Sequence, residues 1–159
     1  MIFIVPLLYL SLLFLFHSFS FVSLCYDEKR EGEVLAHYPT EYYEFFVKFN
    51  EGDYYTCHDL LEEIWMADKE NLFIKGLLQM TVALYHYSYG NVKGARSMMQ
   101  VARDYLQKYR PFYWGVDVEE IYTYIEHCLA IIPTDVDRID FSEIDRLPLL
   151  PPLVLYLHD

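Results

Sequence analysis

Residues 71–89 constrain the fold of this chain more than any other stretch. The run Asn-Leu-Phe-Ile-Lys-Gly-Leu-Leu-Gln-Met-Thr-Val-Ala-Leu-Tyr-His-Tyr-Ser-Tyr is too long for one strand. Its apolar residues fall at nearly every phase of a helical period, and a helix apolar all round must be enclosed by other elements. Asn71 offers an N-cap and Gly90 the left-handed residue that ends the helix. Two polar residues, Gln79 and His86, interrupt it on one face. With Gly76 and Ala83 they make a stripe along which another helix, expected to be the second, can approach closely.

At 159 residues the chain can bury one core. Its 16 Tyr, 11 Phe and 2 Trp argue for a filled interior and against disorder. The net charge of -12 argues against a nucleic-acid backbone as main partner, because phosphate neutralisation needs a basic surface. Cys25, Cys57 and Cys128 contain no Cys-x-x-Cys spacing, so neither a disulfide framework nor a zinc knuckle is written here. Cys57 and Cys128 read as small buried hydrophobes.

Four segments follow from composition. Residues 1–25 form an apolar leader, uncharged through residue 24 and long enough to span about 30 Å of hydrocarbon as a helix. It reads as a membrane anchor, or as a secretory or organelle-targeting segment. The alternative is that the start is not the natural one, with a chloroplast or cytoplasmic location. Residues 26–39 are a charged linker, 40–132 the helical domain, and 133–159 a proline- and leucine-rich tail. Within the domain the expected helices are 41–50, 54–66, 71–89, 92–109 and 118–131, with Asp53, Asn91 and Asp117 as further caps. Pro111–Val116 is an aromatic loop, and the prolines of the tail predict an extended strap. The pattern Phe49-Asn50-Glu51-Gly52-Asp53-Tyr54 recurs as Tyr87-Ser88-Tyr89-Gly90-Asn91-Val92, which predicts two antiparallel helix pairs. The fold class is therefore all-α, a compact bundle of about five helices around a central buried one.

Chemistry concentrates on the second helix. His58, Glu62 and Trp65 fall on one side of it, at the edge of the stripe Cys57, Leu60, Leu61 and Ile64, with Tyr54 nearby. Glu62 is thereby expected to turn inward, and Asp59 and Glu63 toward water. A His and a carboxylate one turn apart can share a divalent metal ion, with His86 as third ligand and Gln79 and Asn91 in the wall. Zinc, iron or manganese would suit two imidazoles and a carboxylate. Without a metal, His58 would be a general base held by Glu62. The plainer alternative is a helix-stabilising pair, a His86 satisfied by the helix dipole, and Trp65 and Tyr54 as core. On the fourth helix Lys93, Arg96, Arg103 and Arg110 share one face. They are either a solvated face paired with acids or a docking strip for an acidic partner or anion.

Several motifs in order resemble one family. They are Phe49-Asn50-x-Gly52-x-Tyr54-Tyr55-x-x-His58-x-x-x-Glu62-x-x-Trp65, then Gly76-Leu77-Leu78-Gln79, then Tyr85-His86 with Gly90-Asn91 and Gly94-Ala95. Tyr109-Arg110-Pro111 and Gly115-Val116-Asp117 continue the likeness. The chain resembles domain-of-unknown-function family 309 over about residues 41–130. The resemblance implies a compact all-helical domain with no established activity, in which metal binding has been suggested for the His-x-x-x-Glu-x-x-Trp motif. Asp59 stands where the family often has Glu. Two functions remain open at this point. One is a small-molecule or metal-binding domain, hydrolytic through His58 and Glu62; the other is a non-catalytic interaction module.

Overall fold

A computed structural model describes residues 38–158, so the expectations for the apolar leader and most of the linker lie outside the described residues. The domain contains the five expected α-helices: α1 (Thr40–Glu51), α2 (Tyr54–Ala67), α3 (Leu72–Ser88), α4 (Val92–Leu106) and α5 (Val118–Ile131). Among the described residues no helix is long and apolar enough to cross a membrane.

Local chemistry accounts for the boundaries. Asp53, Asn71, Asn91 and Asp117 each accept a backbone N–H three residues on, from Thr56, Ile74, Gly94 and Glu120. These caps satisfy donors that the first turn of a helix leaves unpaired. Gly52 and Gly90 take positive φ, 78° and 73°, and turn α1 into α2 and α3 into α4. The end of α4 differs from expectation: it stops at Leu106 and tightens into a 3₁₀ turn, Gln107–Tyr109. Pro111 disfavours helical backbone at Arg110, which is extended. The aromatic loop is also more ordered than expected. Phe112–Tyr113 (β1) pairs antiparallel with Val116–Asp117 (β2) across a two-residue turn at Trp114 and Gly115, both at positive φ.

The central helix is central. Phe73, Ile74, Leu77, Met80 and Ala83 of α3 are fully buried, and α3 packs most extensively on α4, then on α2. The close approach at Gly76 corrects one expectation. A Cβ there would lie 2.8 Å from Leu106 side-chain atoms, so the flat position admits α4 rather than α2. The reason lies in α4, whose buried stripe Ala95, Met99, Ala102 and Leu106 includes two alanines that let the helices draw together.

The tail runs along the bundle as a strap. After α5 it crosses the α3–α4 turn, where Ile139 N–H donates to Gly90 O at 2.9 Å and Asp137 O accepts from Lys93 N–H at 2.9 Å. A 3₁₀ turn, Phe141–Arg146, follows. The extended remainder buries Leu147 and Leu155 and ends with His158 N–H donating to Gly115 O at 2.7 Å.

Candidate binding site

The buried arc of α2 is narrow: Cys57, Leu61 and Ile64, with Leu60 half-buried. Glu62, one step of about 100° beyond Leu61, is exposed like Asp59 and Glu63. The inward turn expected of Glu62 is therefore not found; too little of α2 is covered for a residue beside its stripe to be enclosed. His58 is half-buried and its Nδ1 lies 3.1 Å from Asp59 Oδ1. It lines a small hollow of about 210 Å³ with Tyr55, Val82 and Tyr85. The Tyr55, Tyr85, Tyr89 and Phe141 rings continue from this hollow as a row, with centroids 5.9, 4.7 and 5.6 Å apart.

His86 is engaged elsewhere. Asn91 Oδ1 is committed to the Gly94 N–H, so its Nδ2 faces His86 Nδ1, at 3.3 Å, as a donor. A hydrogen bond across this contact has Asn91 Nδ2 donating and His86 Nδ1 accepting, which engages one of the two ring nitrogens. His86 so joins the end of α3 to the start of α4. Gly94 makes this possible, because a Cβ there would overlap the Asn91 amide. Trp65 donates from Nε1 to Lys69 O at 3.2 Å, with Lys75 Nζ 4.3 Å above its ring. Gln79 is half-buried on α3. Among the described residues no three His, Cys, Asp or Glu side chains are grouped to hold a metal ion.

The cations of α4 and its extension are engaged within the chain. Lys93 pairs with Asp137 at 3.3 Å, Arg96 donates to Pro133 O, and Arg103 reaches Asp104 and Glu126. Arg110 grips Glu119 with two bonds of 2.6 Å and covers the Tyr122 ring at 4.2 Å. This bidentate fork holds the Glu119 carboxyl below its ordinary range. Cys57 and Cys128 are free and fully buried, and burial pushes their thiols up to about 12 and about 11. Both behave as the small hydrophobes expected.

The contacts that resemble a binding site hold the strap. Asn50, at the end of α1, accepts the Leu155 N–H on Oδ1 at 2.8 Å and donates Nδ2–H to Leu155 O at 2.9 Å. A carboxamide is one of the few side chains able to pair with both backbone groups of a single residue. Tyr87 Oη donates to Pro148 O at 2.7 Å. Tyr54, Tyr87 and Tyr124 line the space between bundle and strap, and burial raises the Tyr54 and Tyr124 phenols. Reasoning from the sequence missed Asn50 and Tyr124 as site residues. A polar Asn50 between buried Phe49 and the turn Gly52 was the available signal.

This helical bundle, with capped hairpins and a side-chain-held strap, defines an all-α domain. Residues 42–98 match the family that the motifs resemble, the Domain of unknown function (DUF309). Similar proteins include the uncharacterized protein YpuF of Bacillus subtilis, 39% identical over 66 residues, covering 39% of this chain and 38% of YpuF. An uncharacterized protein of Aquifex aeolicus is 29% identical over 85 residues, covering 52% of this chain and 26% of that protein. The chain thus spans well under half the length of these relatives. No solved structure matches. The family match runs from α1 into α4, so α5 and the strap lie beyond it.

Proposed function

We propose that this domain is a non-catalytic interaction module that holds extended polypeptide against its helices. The grip of Asn50 on the backbone of Leu155 carries this function: the contact uses no side-chain identity in the strap, so it suits extended chain in general. Tyr87 acts in the same way on Pro148 O. The alternative, a metal-dependent or hydrolytic centre at His58, Glu62 and His86, draws less support from the geometry. Glu62 is exposed, and His86 Nδ1 faces the Asn91 amide at 3.3 Å.

The test uses the full chain with Leu155→Asp, which places a charge at a buried strap position and loosens the strap while leaving the groove intact. A labelled peptide copying residues 147–158 should bind this variant in trans, and at least about tenfold more weakly in wild type, where the strap competes. Adding Asn50→Ala to the variant should abolish binding. Absence of binding by the Leu155→Asp chain, with its helical signal intact, would overturn the function. Elemental analysis after exposure to zinc, iron or manganese tests the alternative. A stoichiometric metal lost with His58→Ala would favour the hydrolytic centre instead.

A further inference from the structure

The strap fills its groove poorly. Between it and the bundle lies a cavity of about 510 Å³, walled by Tyr54, Leu84, Tyr87 and Tyr124 on one side and Leu147 and Leu150 on the other. A concave, mostly apolar hollow of this size with a few polar groups in its wall is the kind of surface that takes a ligand side chain. Leu149 of the strap, in the lining of the cavity, is 92% exposed. The strap therefore covers the groove without inserting its most prominent apolar side chain.

Across Pro151 and Pro152 the groove continues into a second hollow of about 460 Å³, with Tyr124 shared by both. Carboxylates line each part: Asp145 the first, Asp117, Glu119 and Glu120 the second. Asp117 is committed to capping α5 and Glu119 to Arg110. Asp145 and Glu120 carry no cationic partner among the described residues. The chain holds 24 acidic against 12 basic residues, so internal compensation is scarce.

We propose that this two-part groove binds a partner protein through an extended segment in which a large apolar side chain is followed by lysine or arginine. The apolar group enters the cavity among the three tyrosines, and the cation lies against the carboxylate of one hollow or the other, Asp145 or Glu120. Phenolic walls suit such a ligand, being apolar along the ring and attractive to cations at the face. This inference rests on the interaction-module function and adds the chemistry of the partner.

Two labelled peptides test it on the full chain by fluorescence anisotropy, one repeating Pro-Leu-Lys and one repeating Pro-Leu-Glu. The lysine peptide should bind saturably with a Kd below about 1 mM, and the glutamate peptide at least about tenfold more weakly. Ser88 is exposed and lines the cavity, so Ser88→Trp should fill it and abolish binding without disturbing the fold. The pair Asp145→Lys and Glu120→Lys should reverse the preference between peptides. Equal affinity for both peptides, or binding indifferent to Ser88→Trp, overturns the inference. A wild-type chain that elutes as a dimer and becomes a monomer with Ser88→Trp also overturns it, in favour of a second copy as occupant. Charge-indifferent binding sinks this inference and leaves the module standing. Failure of the Leu155→Asp chain to bind its own strap peptide sinks the module itself.

Discussion

The two helix hairpins use the same local grammar and live in different surroundings. Gly52-Asp53 turns α1 into α2, and Gly90-Asn91 turns α3 into α4; both glycines are left-handed and both following residues cap a helix. At Gly52 a Cβ would meet nothing within 4 Å. At Gly90 it would meet the Ile139 carbonyl oxygen and lie 2.9 Å from Ile139 Cγ2, because the strap crosses there. The caps diverge likewise. Asp53 is a carboxylate that also accepts the Thr56 hydroxyl at 2.8 Å, whereas Asn91 is an amide that also donates to His86. Equal sequence signals therefore carry unequal structural weight: the strap packs directly on the second glycine, while near the first it is held two residues earlier, by Asn50.

Substitution of the glycines should expose the largest difference. Gly52→Ala places a side chain in left-handed backbone and should cost about 1–2 kcal/mol. Gly90→Ala adds the collision with Ile139 and should cost about 3–4 kcal/mol, read as the shift in urea midpoint at unchanged slope. Equal costs would mean that the strap yields freely at Ile139. Gly90→Ala should also speed amide exchange at Ile139, whose N–H bonds to Gly90 O.

The caps should differ next. Asn91→Ala removes the bond to Gly94 N–H and leaves His86 Nδ1 without its donor, a loss of about 1–2 kcal/mol. His86→Ala in the same background should then add little, because the two residues act through one contact. Additive losses in this cycle would show that His86 is held by something other than Asn91.

The smallest effect separates the turns by pH. The Thr56 hydroxyl, and then its N–H, hold the Asp53 carboxyl below its ordinary range. A folded-state pKa below the unfolded one contributes stability that is fully present above the unfolded value and is lost as pH falls through the folded value. Below about pH 4, wild type should therefore lose stability faster than Asp53→Asn, which keeps a capping oxygen without a titrating one. The matching cap of the second turn, Asn91, is an amide and has no carboxyl to titrate.

Much of this architecture was legible because it is local. The all-round apolar run 71–89, the caps at Asp53, Asn71, Asn91 and Asp117, and the stop at Pro111 each depend on residues within one or two turns. The candidate site was less legible. Helical-wheel phase says which residues share a face, and it grouped His58, Glu62 and Trp65. It does not say how wide an arc a neighbouring helix covers, and so Glu62 was expected inside while it faces water. His86 looked like a ligand until the carboxamide five residues on took its Nδ1. Asn50 had no visible purpose until Leu155, far along the chain, came to it.

By itself the sequence determined five helices, two left-handed glycine turns, a central helix that must be enclosed, and an extended proline-bearing tail. Those follow from hydrogen bonds and backbone sterics over a few residues, which the order of amino acids dictates directly. Only the tertiary structure decided that Gly76 admits α4, that His86 joins two helices, and that Asn50 and Tyr87 hold the strap. Each of these depends on which surfaces meet across long sequence separations, and that is settled by the packing of the whole core, not by any single segment.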